Sequence, residues 1–97
     1  MLLGGTGAVR PATPEIQALV DQIKPEYEAK TGKCPPKFKA VEYKSQVVAG
    51  TNYFVKVDTG DEFVHVRIFQ SLSHDGKKLS LDSYQTNKTQ HDEICYF

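Results

Sequence analysis

Between Thr13 and Tyr27, apolar side chains return every third or fourth position. Ile16, Leu19, Val20, Ile23 and Tyr27 make one stripe, and Asp21, Gln22, Lys24, Glu26 and Glu28 fall off it. This period predicts an amphipathic helix with a single buried face. Its start is marked by Thr13 as a hydroxyl cap, Pro14 at the first helical position and Glu15 in the first turn. Pro25 lacks an N–H and crowds the preceding turn, so a kink or an end is expected there. The reading adopted is a kinked helix continuing to about Lys30, stopped by Gly32, with Cys34-Pro35-Pro36 as a loop.

From Phe38 onward the period falls to two. Val41, Tyr43, Ser45 and Val47 are expected on one face of a strand, and Glu42, Lys44 and Gln46 on the other. Ala49-Gly50-Thr51-Asn52 interrupts the pattern, which resumes from Tyr53 to Val57. Asp58-Thr59-Gly60-Asp61 has turn composition. Phe63 to Gln70 reads as a further strand with Val64, Val66 and Ile68 on one side and Phe63, His65, Arg67 and Phe69 on the other. A loop from Ser71 to Lys78 leads to a strand from Leu79 to Thr86, and the end of the chain is polar until Tyr96-Phe97. One helix and about four hairpin-linked strands form an α+β pattern, in which the apolar face of the helix and that of the sheet bury each other. The expected core includes Ile16, Leu19, Val20, Ile23, Val41, Val47, Val55, Val57, Val66 and Leu81.

The 97 residues fit one domain, residues 1–97, with an N-terminal arm over 1–10 that holds Gly4, Gly5 and Gly7 and has no reason to fold alone. The hydrophobic content of 39% is too high for a disordered chain and sufficient for one modest core. Lys and Arg number 12, as do Asp and Glu, so the formal net charge of zero argues against nucleic acid as the main partner. Met1-Leu2-Leu3-Gly4-Gly5 lacks the basic start and apolar run of an export signal, and no stretch is apolar enough to span a membrane. A cytoplasmic protein is expected, and nuclear residence is compatible with this size. On that basis Asn87-Lys88-Thr89 is read as a chance glycosylation sequon, and Cys34 and Cys95 as reduced thiols. A single disulfide clamping the C-terminus is the alternative.

Little in the chain suggests catalysis. Cys34 precedes two prolines, Cys95 stands almost at the end, and none of His65, His74 and His91 sits in a nucleophile motif. No C-x-x-C or H-x-x-x-H spacing suggests a metal, and no cofactor is expected. Gly4-Gly5-Thr6-Gly7 lacks the strand and lysine of a phosphate loop. His65 is expected to be structural. A binding protein is therefore the reading that composition and periodicity leave.

Gln46-Val47-Val48-Ala49-Gly50 between two strands narrows it. This pentapeptide resembles the first inhibitory hairpin of the cystatins. Gly4-Gly5 resembles the glycine of their N-terminal trunk, and Pro11 to Gln17 resembles the helix start of the stefins, the small intracellular cystatins. Gln46 to Tyr53, Gly60 to His65, Tyr84 to Lys88 and the closing Tyr96-Phe97 are also stefin-like and keep the stefin order. The resemblance covers essentially the whole chain.

The resemblance implies a cystatin-like α+β fold, a five-stranded antiparallel sheet wrapped around one long helix, with the fifth strand short and placed in the arm. It implies reversible, tight-binding inhibition of papain-like cysteine proteases such as cathepsins L, H, B and S. It also implies that the protease-binding residues are Leu3 and Gly4 in the trunk, Gln46, Val47, Val48, Ala49 and Gly50 in the first hairpin, and Leu72, Ser73 and His74 in the second. A monomer able to form a domain-swapped dimer by opening the first hairpin is a further implication. Two positions depart from the pattern. Ser73 stands where the most similar stefins often have proline, and Leu3 where they carry cysteine, so no disulfide dimer through the trunk is expected. Cys34 and Cys95 are unusual for the group and receive no role.

Overall fold

The computed structural model describes residues 9–71, 78–95 and 97. Their elements run β1 (Arg10–Pro11), α1 (Pro14–Thr31), β2 (Lys39–Val48), β3 (Gly50–Asp58), β4 (Phe63–Gln70) and β5 (Leu79–Lys88). The five strands form one antiparallel sheet in the order β1-β2-β3-β4-β5.

The helix ends where the local chemistry places its ends. Thr13 is extended, and its hydroxyl accepts from the Ile16 N–H at 3.3 Å. Gly32 closes the helix in the left-handed region at φ 72°, its N–H donating to the Glu28 carbonyl. The helix continues through Pro25 to Thr31. The stripe Ile16, Leu19, Val20, Ile23 and Tyr27 is buried against Val55, Val57, Val64, Val66, Ile68 and Leu81 on the inner face of the sheet. Tyr27 stacks near Phe38 and Tyr84 with ring centroids 5.1 and 5.7 Å away.

Two expected core residues are not in the core. The β2–β3 register shifts between Ala40 and Glu42, which makes Val41 the extra residue of a bulge. Phe38 and Ala40 take the buried positions before the bulge, and Val41 is only half-buried. Val47 keeps the face expected of it but, one pair from the hairpin tip, is 64% exposed. The turn after β2 is also tighter than the interruption at residues 49–52 suggests. Val48 already pairs with Gly50, leaving Ala49 alone between them.

The opposite, outer face of the sheet has its own small core. Phe54, Lys56 and His65 point there and are buried, as is Ile94 in the C-terminal segment. Phe97 meets Phe54 edge to face with ring centroids 5.7 Å apart, and the Arg67 guanidinium donates to the Phe97 carbonyl. The Lys56 ammonium donates to Glu42 at 3.0 Å and to the Gln90 carbonyl at 2.8 Å. The segment after β5, read as a polar tail, therefore straps the outer face.

Candidate functional site

The long β2–β3 ladder carries the pentapeptide to one end of the sheet. Gln46 pairs with Asn52, Val47 with Thr51 and Val48 with Gly50. Val47, Val48 and Ala49 are exposed at the tip. Val48 is 44% exposed, and the two valines are, with Val9, the exposed large apolar residues of the described chain. Scattered surface valines need no explanation, but two adjacent ones at a hairpin tip leave apolar area that a partner can cover. Their branched side chains have few rotamers to lose on contact.

Gln46 and Gly50 lie behind this tip. The Gln46 side-chain oxygen faces the Asn52 amide at 3.5 Å across the hairpin. Gly50 is buried, with φ at +124°. A β-carbon there would lie 2.6 Å from the Gln70 carbonyl oxygen and 2.8 Å from the Phe69 ring. Position 50 therefore requires glycine for its backbone angle and for the close approach of β4. The side chains of the motif thus divide: 47, 48 and 49 face outward, whereas 46 and 50 shape the hairpin.

Two other segments flank the same end. Thr51 stands opposite Gln70, and Gln70 opposite Leu79, so the loop after β4 opens next to the hairpin base. Ser71 and Lys78 close that loop: the Ser71 N–H donates to the Lys78 carbonyl at 2.9 Å, and the Lys78 N–H to the Ser71 hydroxyl at 3.3 Å. On the other side, β1 is antiparallel to β2, with Arg10 opposite Tyr43 and Pro11 opposite Glu42. Arg10 is thus the residue of β1 nearer the hairpin. Leu3, Gly4, Leu72, Ser73 and His74 lie outside the described residues, and the structure brings together only the segments that lead to them.

Other candidate chemistry is separate from this edge. Cys34 and Cys95 are free and exposed. His65 is wholly buried on the outer face with neither ring nitrogen paired, and its burial, together with Lys56 and Lys88, pulls its pKa down to about 4. No group of three potential metal-ligating side chains occurs among the described residues, and no helix there is long and apolar enough to cross a membrane. Sequence reasoning missed Phe69 and Gln70 as supports of Gly50. Their signal exists only in the β3–β4 register, which the alternation pattern does not encode.

The cystatin domain matches residues 4–91. Cystatin-B of Homo sapiens is 57% identical over 98 residues, covering 100% of both chains. Cystatin-B of Sus scrofa and of Bos taurus are 56% and 55% identical, again over the full length of both. With its five-stranded sheet, single helix and exposed Val47-Val48-Ala49 tip, the chain belongs to the cystatin family, in the stefin group alongside cystatin-B.

Proposed function

We propose that this cystatin, a cysteine-protease inhibitor by family, blocks the active-site cleft of papain-like enzymes reversibly, with a wedge made of its N-terminal arm and two loops. The observation that carries the reading is the exposed apolar tip at Val47, Val48 and Ala49, held by a paired ladder down to Gly50. The end of the arm in β1 and the Ser71–Lys78 base of the loop after β4 lie on either side of this hairpin, which supports a three-part edge. In this reading Gly4 lets the arm backbone approach the cleft closely and Leu3 fills an apolar pocket. Leu72, Ser73 and His74 form the third contact. A preformed edge of this kind loses little conformational freedom on docking. The protease's own thiol finds no peptide bond placed for attack, so the inhibitor stays intact.

Cathepsins L, H, B and S are the targets that the stefin resemblance suggests, and cytoplasmic, with nuclear, residence belongs to the same reading. The protein is a monomer in this account. Opening at Ala49 would let the arm, α1 and β2 exchange between two chains, and size-exclusion chromatography after partial denaturation should show a discrete dimer. Only monomer and amorphous aggregate would contradict that.

The test of function is a titration of active papain with the purified protein. Near-stoichiometric loss of activity, recovered on dilution with the inhibitor uncut, is expected. No inhibition by folded protein at micromolar concentrations would overturn the proposal. Removing residues 1–5 should weaken inhibition mainly by faster dissociation, and an unchanged inhibition constant would remove the arm from the wedge.

A further inference from the structure

Phe69 stands opposite Asn52 in the β3–β4 ladder, two positions along β3 from Gly50. Its ring reaches diagonally over Gly50: two ring carbons lie 2.8 and 2.9 Å from where a β-carbon at position 50 would be. The ring thus fills the space that a side chain there would take, and Gly50 is buried although it is one residue from the exposed tip. A glycine in a strand leaves a gap on one face and a loose backbone, and an aromatic laid across it closes both. Gln70 continues the support. Its carbonyl lies under Gly50, and its side-chain oxygen accepts from the Tyr53 hydroxyl at 3.4 Å. Ser71, the next residue, closes the loop with Lys78.

We propose that Phe69 is a positioning residue for protease binding: its ring fixes the Gln46–Gly50 hairpin to the end of β4, so that the hairpin tip meets the cleft in one orientation. This rests on the wedge reading above and extends it to a residue that acts through Gly50. Loss of the ring leaves the contact atoms in place but lets the hairpin move. Its cost therefore falls on the lifetime of the complex more than on its formation.

The test compares Phe69→Ala and Phe69→Leu with Phe63→Ala, at temperatures where each variant is folded. Phe63 is half-buried on the same face of β4 but at the far end, opposite Asp58 and Lys88. Rates are measured on immobilised papain, and hydrogen exchange of segment 46–52 is measured in the free protein. Phe69→Ala is expected to speed dissociation at least about tenfold, with association within about threefold. Phe69→Leu should give a smaller increase, and Phe63→Ala should leave both rates within about twofold. Exchange across 46–52 should rise in the Phe69 variants alone. Dissociation from folded Phe69→Ala within about twofold of wild type, or an equal effect of Phe63→Ala, overturns the proposal. If Phe69→Ala does not fold, Phe69→Leu decides by the same criterion. If wild-type protein fails to bind papain, the wedge reading has failed, and exchange decides alone: unchanged protection of 46–52 in the Phe69 variants overturns the positioning role.

Discussion

Gly50 carries two constraints at one atom. Its φ of +124° disfavours any side chain, and the Gln70 carbonyl would lie 2.6 Å from a β-carbon. Relaxing the turn would ease only the first. Gly50→Ala should therefore lower stability by roughly 1–3 kcal/mol and weaken papain inhibition as the hairpin shifts. Urea unfolding and an inhibition constant check this, and a variant equal to wild type in both would contradict it. The motif Gln46 to Gly50 was legible in the sequence. The close approach of β4 that requires its glycine was not. Phe69 looks like one more outward residue in an alternating strand until the register sets it beside Gly50.

Gln17 shows how a polar residue off the helical stripe joins two elements. Its side-chain nitrogen donates to the Phe38 carbonyl at 3.0 Å, and its oxygen accepts from the Ala40 N–H at 2.8 Å. The amide thus serves both backbone groups where the chain enters β2, beside the bulge at Val41. Gln17→Leu leaves them unpaired and should cost roughly 2–3 kcal/mol, read from the urea midpoint. A loss below about 0.5 kcal/mol would mean that water or another group replaces the amide. The helix and β4 were readable because their periods run unbroken. The bulge explains the failure at Val41: one inserted residue moves the buried position to Ala40, and alternation counted through it assigns the wrong member. Val47 failed for a different reason, since it lies one pair from the hairpin tip, where it is 64% exposed.

For the whole molecule, the unread feature is the second core. Ile94 is one apolar residue in a polar stretch, and nothing local shows that it is buried in a segment that closes on the outer face through Lys56 and Phe54. That closure has a pH consequence. Above pH 6.5 His65 is neutral in both the folded and the unfolded chain. Between 6.5 and about 4 the unfolded chain takes a proton that the folded one refuses, so stability falls as pH falls. Lys56 and Lys88 add to the refusal, while Asp92 and Glu42 oppose it. The loss should be on the order of 2–3 kcal/mol by pH 4. Asp58 and Asp92 are held below their usual carboxylate range, chiefly by Lys37 and by the Thr89 N–H, so their contributions disappear only at lower pH. Urea unfolding between pH 7.5 and 4.5 should show the slope, and His65→Leu should flatten it. An unchanged slope would contradict the assignment.

In the proposed reading the hairpin edge, with the two segments that flank it, is the part of the surface that meets the protease. The most direct measurement is the inhibition constant of Val48→Asp against papain, taken beside its unfolding midpoint. Val48 is exposed, so the substitution should leave stability within about 0.5 kcal/mol. Burying the new carboxylate in the cleft should weaken inhibition by at least about tenfold, the equivalent of 1.4 kcal/mol or more. A folded Val48→Asp protein that inhibits as well as wild type would contradict the account, because the tip would then not enter the cleft.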